Sequence, residues 1–110
     1  MDFVSDVKIL KPSVLLTILK GVLDAGTSIQ LEMALAGYLR DPSITTVILE
    51  VPELTFVSSS GLRVMMLIIK SLAPKSGKLY MVGANDQVTG LVKMSGMTKW
   101  INLRNTIQEC

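Results

Sequence analysis

Residues 45–51 constrain the fold more than any other part of this 110-residue chain. They read Thr-Thr-Val-Ile-Leu-Glu-Val, a β-branched and almost continuously apolar run. Such a run is typical of a central strand that is covered on both faces and has parallel neighbours. Proline cannot donate a hydrogen bond to a neighbouring strand, so Pro52 is predicted to end this strand.

Strand and helix patterns alternate along the rest of the sequence. The predicted strands are residues 3–10, 14–19, 45–51, 78–82 and 100–103. The predicted helices begin at Thr27, Leu62 and Asn85, with a short helical stub after Asn105. The order ββαβαβαβ, followed by that stub, predicts a single α/β domain over residues 1–110 with a mixed, mostly parallel sheet.

Capping residues support the helix boundaries. Thr27 and Gln30 have the spacing of a capping box, and residues 21–26 before them are predicted to form a loop. The apolar face of this helix is predicted at Leu31, Ala34, Leu35 and Tyr38, and the Asp41-Pro42 pair ends it. Asn85 is a preferred N-cap, and Gly96 stands where a left-handed glycine often follows a helix.

The composition excludes several classes of function. The chain has no histidine, which excludes Ser–His hydrolases, histidine phosphorelays and histidine-ligated metals. No metal or cofactor motif is visible, and a net charge of +2 without a basic, aromatic-interleaved run makes nucleic acid an unexpected partner. One cysteine, Cys110, no signal-peptide pattern and apolar runs too short to insert into a membrane predict a cytoplasmic protein.

Three serines and a glycine, Ser58-Ser59-Ser60-Gly61, immediately precede the second predicted helix. A helix N-terminus offers free backbone N–H groups and a partial positive charge, so this turn could carry a phosphoserine or receive an anion. Ordinary N-capping by serine is the more common reason for such a turn. A serine nucleophile needs a nearby base, and only a lysine such as Lys70 is available for that role.

The helix after the serines has apolar residues on two sides. Its core face is predicted at Leu62, Met65, Met66, Ile69 and Leu72. The opposite side carries Val64, Leu67 and Ile68 where a surface helix would usually be charged. Neighbouring helices could cover this second side, or it could be an exposed surface on which a partner docks beside the serine turn.

The sequence resembles the STAS domain family at several places in the family's order. Residues 19–24, Leu-Lys-Gly-Val-Leu-Asp, are similar to its Gly-x-Leu-Asp loop. Residues 47–62 resemble its central strand and the following Asp-Ser-Ser-Gly-Leu motif, with Ser58 in place of the aspartate. Residues 77–79 and 94–97 match two further landmarks of the family.

The resemblance implies an anti-sigma factor antagonist, which is a binding module and not an enzyme. Such a protein binds an anti-sigma factor that is also a serine kinase, and phosphorylation releases it. The phosphorylated residue corresponds to Ser59, and Asp24 lies near the same surface. The expected partner-binding residues are Asp24, Ser58, Ser60, Gly61, Arg63, Val64 and Leu67. The chain is expected to be a monomer or a weak dimer, and the alternative is a constitutive adaptor in a transport or signalling assembly.

Overall fold

A five-stranded sheet organises residues 3–110, which are the residues that the computed structural model describes. The strands are β1 (Val4–Lys11), β2 (Val14–Leu23), β3 (Thr46–Val57), β4 (Lys78–Val82) and β5 (Ile101–Arg104). They lie side by side in chain order; β1 is antiparallel to β2, and the other neighbours are parallel. The predicted α/β class with a mixed, mostly parallel sheet is therefore confirmed.

Three α-helices connect the parallel strands. They are α1 (Ala25–Arg40), α2 (Ser59–Leu72) and α3 (Asp86–Met94). Three short 3₁₀ turns lie at Ala73–Lys75, Met97–Lys99 and Ile107–Glu109. Asn85 caps α3 and Gly96 has a φ of 76°, as predicted. The final stub is instead a single 3₁₀ turn capped by Thr106.

The predicted loop at residues 21–26 is wrong, because β2 continues to Leu23 beside β3. Asp24 then caps α1, which begins at Ala25, two residues before the expected start at Thr27. Its carboxylate accepts a 3.0 Å hydrogen bond from the Thr27 N–H, and the Thr27 hydroxyl oxygen accepts a 2.8 Å bond from the Asp24 N–H. Thr27 is thus the second member of a capping box and not its first.

The strand break predicted at Pro52 is also wrong, because β3 continues through it to Val57. The register with β2 shifts here: Ile18 pairs with Glu50, whereas Lys20 pairs with Glu53. Pro52 therefore lies at an irregularity in the pairing of β2 with β3, where its lack of an N–H removes no regular hydrogen bond between the strands. On the other side of β3, pairing with β4 ends at Glu50 and Val82. Residues 51–57 of β3 therefore extend past the end of β4 and pair only with β2.

The helices cover one face of the sheet and form the main core with it. The largest buried side chains include Leu15, Leu19, Leu49 and Leu54 from the strands, and Leu31, Leu35 and Ile68 from the helices. On the other face, a smaller cluster of Leu16, Ile48 and Val82 is covered in part by Ile107. Val47, Ile48 and Leu49 are all buried, so the predicted coverage of both faces holds for the centre of β3.

The exposed side of α1 differs from the prediction. Leu31 and Leu35 are buried, whereas Ala34 and Tyr38 are exposed and Ser28 is buried in their place.

None of the helices within residues 3–110 is long and apolar enough to cross a membrane.

Candidate functional site

The candidate site lies where β2 and β3 end side by side and α1 and α2 begin. Leu23 pairs with Val57, and the Ser58 N–H donates a 2.8 Å hydrogen bond to the Leu23 carbonyl oxygen. Asp24 and Ser58 are the N-caps of the two helices, so both helix N-termini lie at the carboxyl-terminal ends of β2 and β3. The topology thus brings together two of the four segments that carry the resemblance, residues 19–24 and 47–62.

The three serines of the turn have different structural roles. Ser58 is the N-cap of α2, and its Oγ accepts a 3.3 Å hydrogen bond from the Gly61 N–H. Ser59 is the first helical residue and is exposed, whereas Ser60 is half-buried. The capping role therefore falls to Ser58, and Ser59 is the most exposed of the three serines.

The first turn of α2 contains no acidic residue. The partial positive charge of the helix N-terminus is therefore not offset by a carboxylate on α2 itself. Arg63 is exposed and follows Ser59 by four residues, which places the two on the same side of the helix. A negative group on Ser59 would lie beside both the helix N-terminus and this guanidinium.

Gly61 is buried between the two strands that end at the site. A Cβ atom at this position would lie 2.7 Å from Val57 Cγ1 and 2.9 Å from Leu23 Cδ2. These distances are shorter than any ordinary contact, so the position accepts only glycine without rearrangement. Gly61 lets α2 begin close against β2 and β3, and it does not present a side chain to a partner.

The expected docking residue Val64 is corrected by the structure. Its side chain is 2% exposed and belongs to the core, together with Met65, Ile68 and Leu72. Leu62, Met66 and Ile69, which were expected on the core face, are only half-buried. The face is rotated because α2 packs against α1 as well as against the sheet. Of the helix residues expected at the surface, Arg63 is exposed and Leu67 is half-buried.

Asp24 is exposed, but its carboxylate is held by its capping bonds. The Thr27 backbone N–H donates to it, and the Thr27 hydroxyl, whose shorter bond is to the Val22 carbonyl oxygen, lies 3.1 Å from it. These contacts lower the pKa of Asp24 below its ordinary value. It is therefore ionised at neutral pH and fixed in orientation beside the start of α1. A partner that approaches the serine turn meets this negative charge next to the positive end of α2.

An apolar stripe on α1 was missed from the sequence. Ile29 is 58% exposed and Met33 is 74% exposed, one turn apart and on the helix that Asp24 caps. Their i, i+4 spacing could have indicated this stripe from the sequence. It was overlooked because the apolar face at Leu31 and Leu35 was already sufficient to predict a helix. Phe56, just before the serine turn, is also exposed. Exposed apolar side chains thus accompany the charged groups of the site.

Comparison with known families agrees with this geometry. A family model described as STAS domain matches residues 7–110. This chain belongs to the STAS domain family. Among the residues that the structure describes, no cluster of three or more histidine, cysteine or acidic side chains could hold a metal ion in this STAS domain.

The STAS domain is similar in sequence to BtrV of Bordetella bronchiseptica, which is named as a candidate anti-sigma factor antagonist. The two are 30% identical over 92 residues, which cover 84% of this chain and 78% of BtrV. In structure it is similar to an anti-sigma factor antagonist from Mycobacterium paratuberculosis, with a TM-score of 0.84, 18% identity, and coverage of 98% and 90% of the two chains.

A second structural neighbour is SpoIIAA, which has been solved in two states. Its unphosphorylated form has a TM-score of 0.80 at 15% identity and covers 96% of this chain and 92% of its own. The phosphorylated form of the Bacillus protein has a TM-score of 0.78 at 19% identity, with coverage of 96% and 95%. At these identities the likeness concerns the fold.

Proposed function

We propose that this STAS domain is an anti-sigma factor antagonist that binds an anti-sigma factor with serine kinase activity. In the proposed cycle, the unphosphorylated domain binds this partner and so frees a sigma factor. Phosphorylation of Ser59 then releases the domain. The name of BtrV and the two phosphorylation states of SpoIIAA support this proposal. The observation that carries it here is the exposed Ser59 at the first position of α2, beside Asp24.

The binding surface that we propose extends from the serine turn along α1. It consists of Asp24, Ser59, Arg63, Ile29 and Met33, which we call the switch surface. All five residues are exposed. Exposed apolar side chains supply most of the favourable free energy of an interface, and the charged residues set its orientation. Val64 and Gly61 are excluded from this surface because they are buried.

Phosphorylation would oppose binding through charge. A phosphoserine carries about −1.5 to −2 charges at neutral pH, and burying it against a partner without a cation is costly. The phosphate would also lie within reach of Arg63, one helical turn away, which would then no longer be free to pair with a carboxylate of the partner. The kinase supplies the base and the nucleotide, so the STAS domain needs no catalytic residue or cofactor of its own and acts in the cytoplasm as a binding protein.

The test is phosphorylation followed by binding. The STAS domain is incubated with an anti-sigma factor kinase of its own organism and ATP, and the modified residue is located by peptide mass spectrometry. We expect one phosphate on wild type and on Ser60→Ala, and none on Ser59→Ala. Binding of the same kinase, measured by calorimetry, should weaken at least tenfold in Ser59→Asp but not in Ser59→Ala.

A constitutive adaptor is the second candidate, and the serine at position 58, the N-cap of α2, favours it. In the motif that the chain resembles, an aspartate precedes the phosphorylated serine, whereas Ser58 stands there and acts as an N-cap. An adaptor would bind its partner with equal affinity in wild type and Ser59→Asp, and phosphate transfer to Ser59 would not occur.

A further inference from the structure

We propose that the opposite end of the STAS domain carries a second binding site, for an extended acidic segment of a partner protein. The site is a groove between the C-terminal end of α2 and the first residues of β4 and β5. It has a volume of about 300 Å³. We call it the β5 groove, and the residues that define it are Ile69, Leu72, Lys78, Lys99 and Trp100.

The charged residues that line the β5 groove are all basic. Lys78 and Lys99 are both exposed at its rim, and none of the residues that line it is acidic. Neither lysine forms a salt bridge within residues 3–110, where the one ion pair found joins Lys20 to Glu53. Two ammonium groups that line one groove attract carboxylates and disfavour a basic partner, so the complementary ligand is acidic.

The lining of the β5 groove also includes apolar side chains. Ile69 and Leu72 come from α2, but Leu72 is only 2% exposed. The accessible apolar surface is therefore supplied by the half-buried Ile69 and by Trp100, which has 48% of its surface exposed. A half-exposed tryptophan beside aliphatic side chains is the kind of anchor on which binding energy concentrates. The ligand therefore needs an apolar side chain to insert beside Trp100, with acidic residues on either side of it.

The backbone of β5 adds a reason for an extended ligand. β5 is the last strand of the sheet, pairs with β4 on one side, and has no strand on its other side within residues 3–110. A free edge can accept another strand through backbone hydrogen bonds. In other proteins, a short edge strand flanked by lysine serves to prevent such pairing. If β5 has that protective role, an acidic peptide should not bind, whereas the proposed role requires that it binds.

Trp100 makes the proposal directly measurable because it is the chain's one tryptophan. The probe is a short peptide in which glutamate alternates with leucine and valine, and the matched control has lysine in place of each glutamate. We expect the acidic peptide to move the Trp100 fluorescence to shorter wavelength in a saturable way that added salt weakens. The lysine peptide should leave the spectrum unchanged.

Charge-reversal variants locate the site. Lys78→Glu combined with Lys99→Glu should weaken binding of the acidic peptide roughly tenfold, whereas Lys8→Glu, on β1 at the other edge of the sheet, should not. Both altered lysines are exposed, and the milder Lys99→Gln serves if the double variant misfolds. The proposal is overturned if no saturable shift occurs at millimolar peptide, if both peptides act alike, or if Lys8→Glu weakens binding equally. Ser59→Ala should bind the peptide like wild type, so this result does not depend on the switch surface.

Discussion

The Ser58 N–H donates a 2.8 Å hydrogen bond to the carbonyl oxygen of Leu23. This bond joins the end of β2 to the first residue after β3, and each strand leads directly into a helix. The cap of α1 and the cap of α2 are therefore adjacent although they are far apart in sequence. The candidate site depends on this junction more than on any single side chain.

The different roles of Ser58 and Ser59 can be separated by stability. Ser58→Ala removes the oxygen that accepts the Gly61 N–H, so we expect the free energy of unfolding to fall by about 1 kcal/mol. Ser59→Ala removes an exposed hydroxyl from the first helical position and should change it by less than about 0.5 kcal/mol. Urea denaturation followed by circular dichroism measures both. Equal losses in the two variants would contradict the assigned roles.

Gly61 should tolerate no side chain. In Gly61→Ala the added methyl group would meet Val57 and Leu23 at less than 3 Å, and we expect a loss of about 1–3 kcal/mol in unfolding free energy. Gly37→Ala on α1 is the matched control, because a Cβ there meets nothing within 4 Å. That change should stabilise the protein by about 0.5–1 kcal/mol, since alanine favours a helix over glycine. Thermal unfolding should show a lower melting temperature for Gly61→Ala and a higher one for Gly37→Ala.

Lys75 should stabilise the fold more than its surface position suggests. Its Nζ donates to the carbonyl oxygens of Leu39, Asp41 and Ile44, at 2.9, 2.8 and 3.0 Å. Lys75→Met would leave these acceptors at the end of α1 without their donor, and we expect unfolding to become easier by about 1–3 kcal/mol. Lys70→Met, which alters an exposed lysine of α2, should have little effect on the urea midpoint.

Asp24 should contribute stability that acid removes. Its pKa is lowered by hydrogen bonds from Thr27, so the folded protein binds the proton less readily than the unfolded chain. The contribution is complete above the unfolded pKa of about 3.9 and is lost as the pH falls through the lower folded value. We therefore expect the melting temperature of Asp24→Asn to fall less than that of wild type between neutral pH and about pH 2. Parallel curves for the two proteins would show that the capping bonds do not favour the ionised form. Asp41 and Glu109, whose pKa values are also lowered, remain in both proteins.

A phosphate on Ser59 should pair with Arg63 on the same helix. We expect the second pKa of the phosphoserine to be lower in wild type than in Arg63→Gln by about 0.3 unit, which corresponds to a typical i, i+4 ion pair. Phosphorus NMR of protein carrying phosphoserine at this position measures it. Lys70→Gln, two turns further along α2, is the control. Identical titrations in wild type and Arg63→Gln would show that the two groups do not pair.

Local patterns predicted the strands and the cap of α3 well, because these features depend on neighbouring residues in sequence. Asn85 and Gly96 could be recognised from their types and positions alone. The continuation of β3 past Pro52 could not, because it depends on where pairing with β4 ends and on the register shift opposite β2. The burial of Val64 likewise depends on α1 as a second neighbour of α2. The errors therefore fall where tertiary contacts decide the outcome.

α2 connects the two proposed sites. It begins at Ser59 in the switch surface, and Leu72 at its other end lines the β5 groove. A helix of 14 residues is about 21 Å long, so an extended segment could occupy the β5 groove while another partner is bound at the serine turn. In that case the STAS domain would hold two proteins at a set separation, and loss of one at the serine turn would leave the other in place.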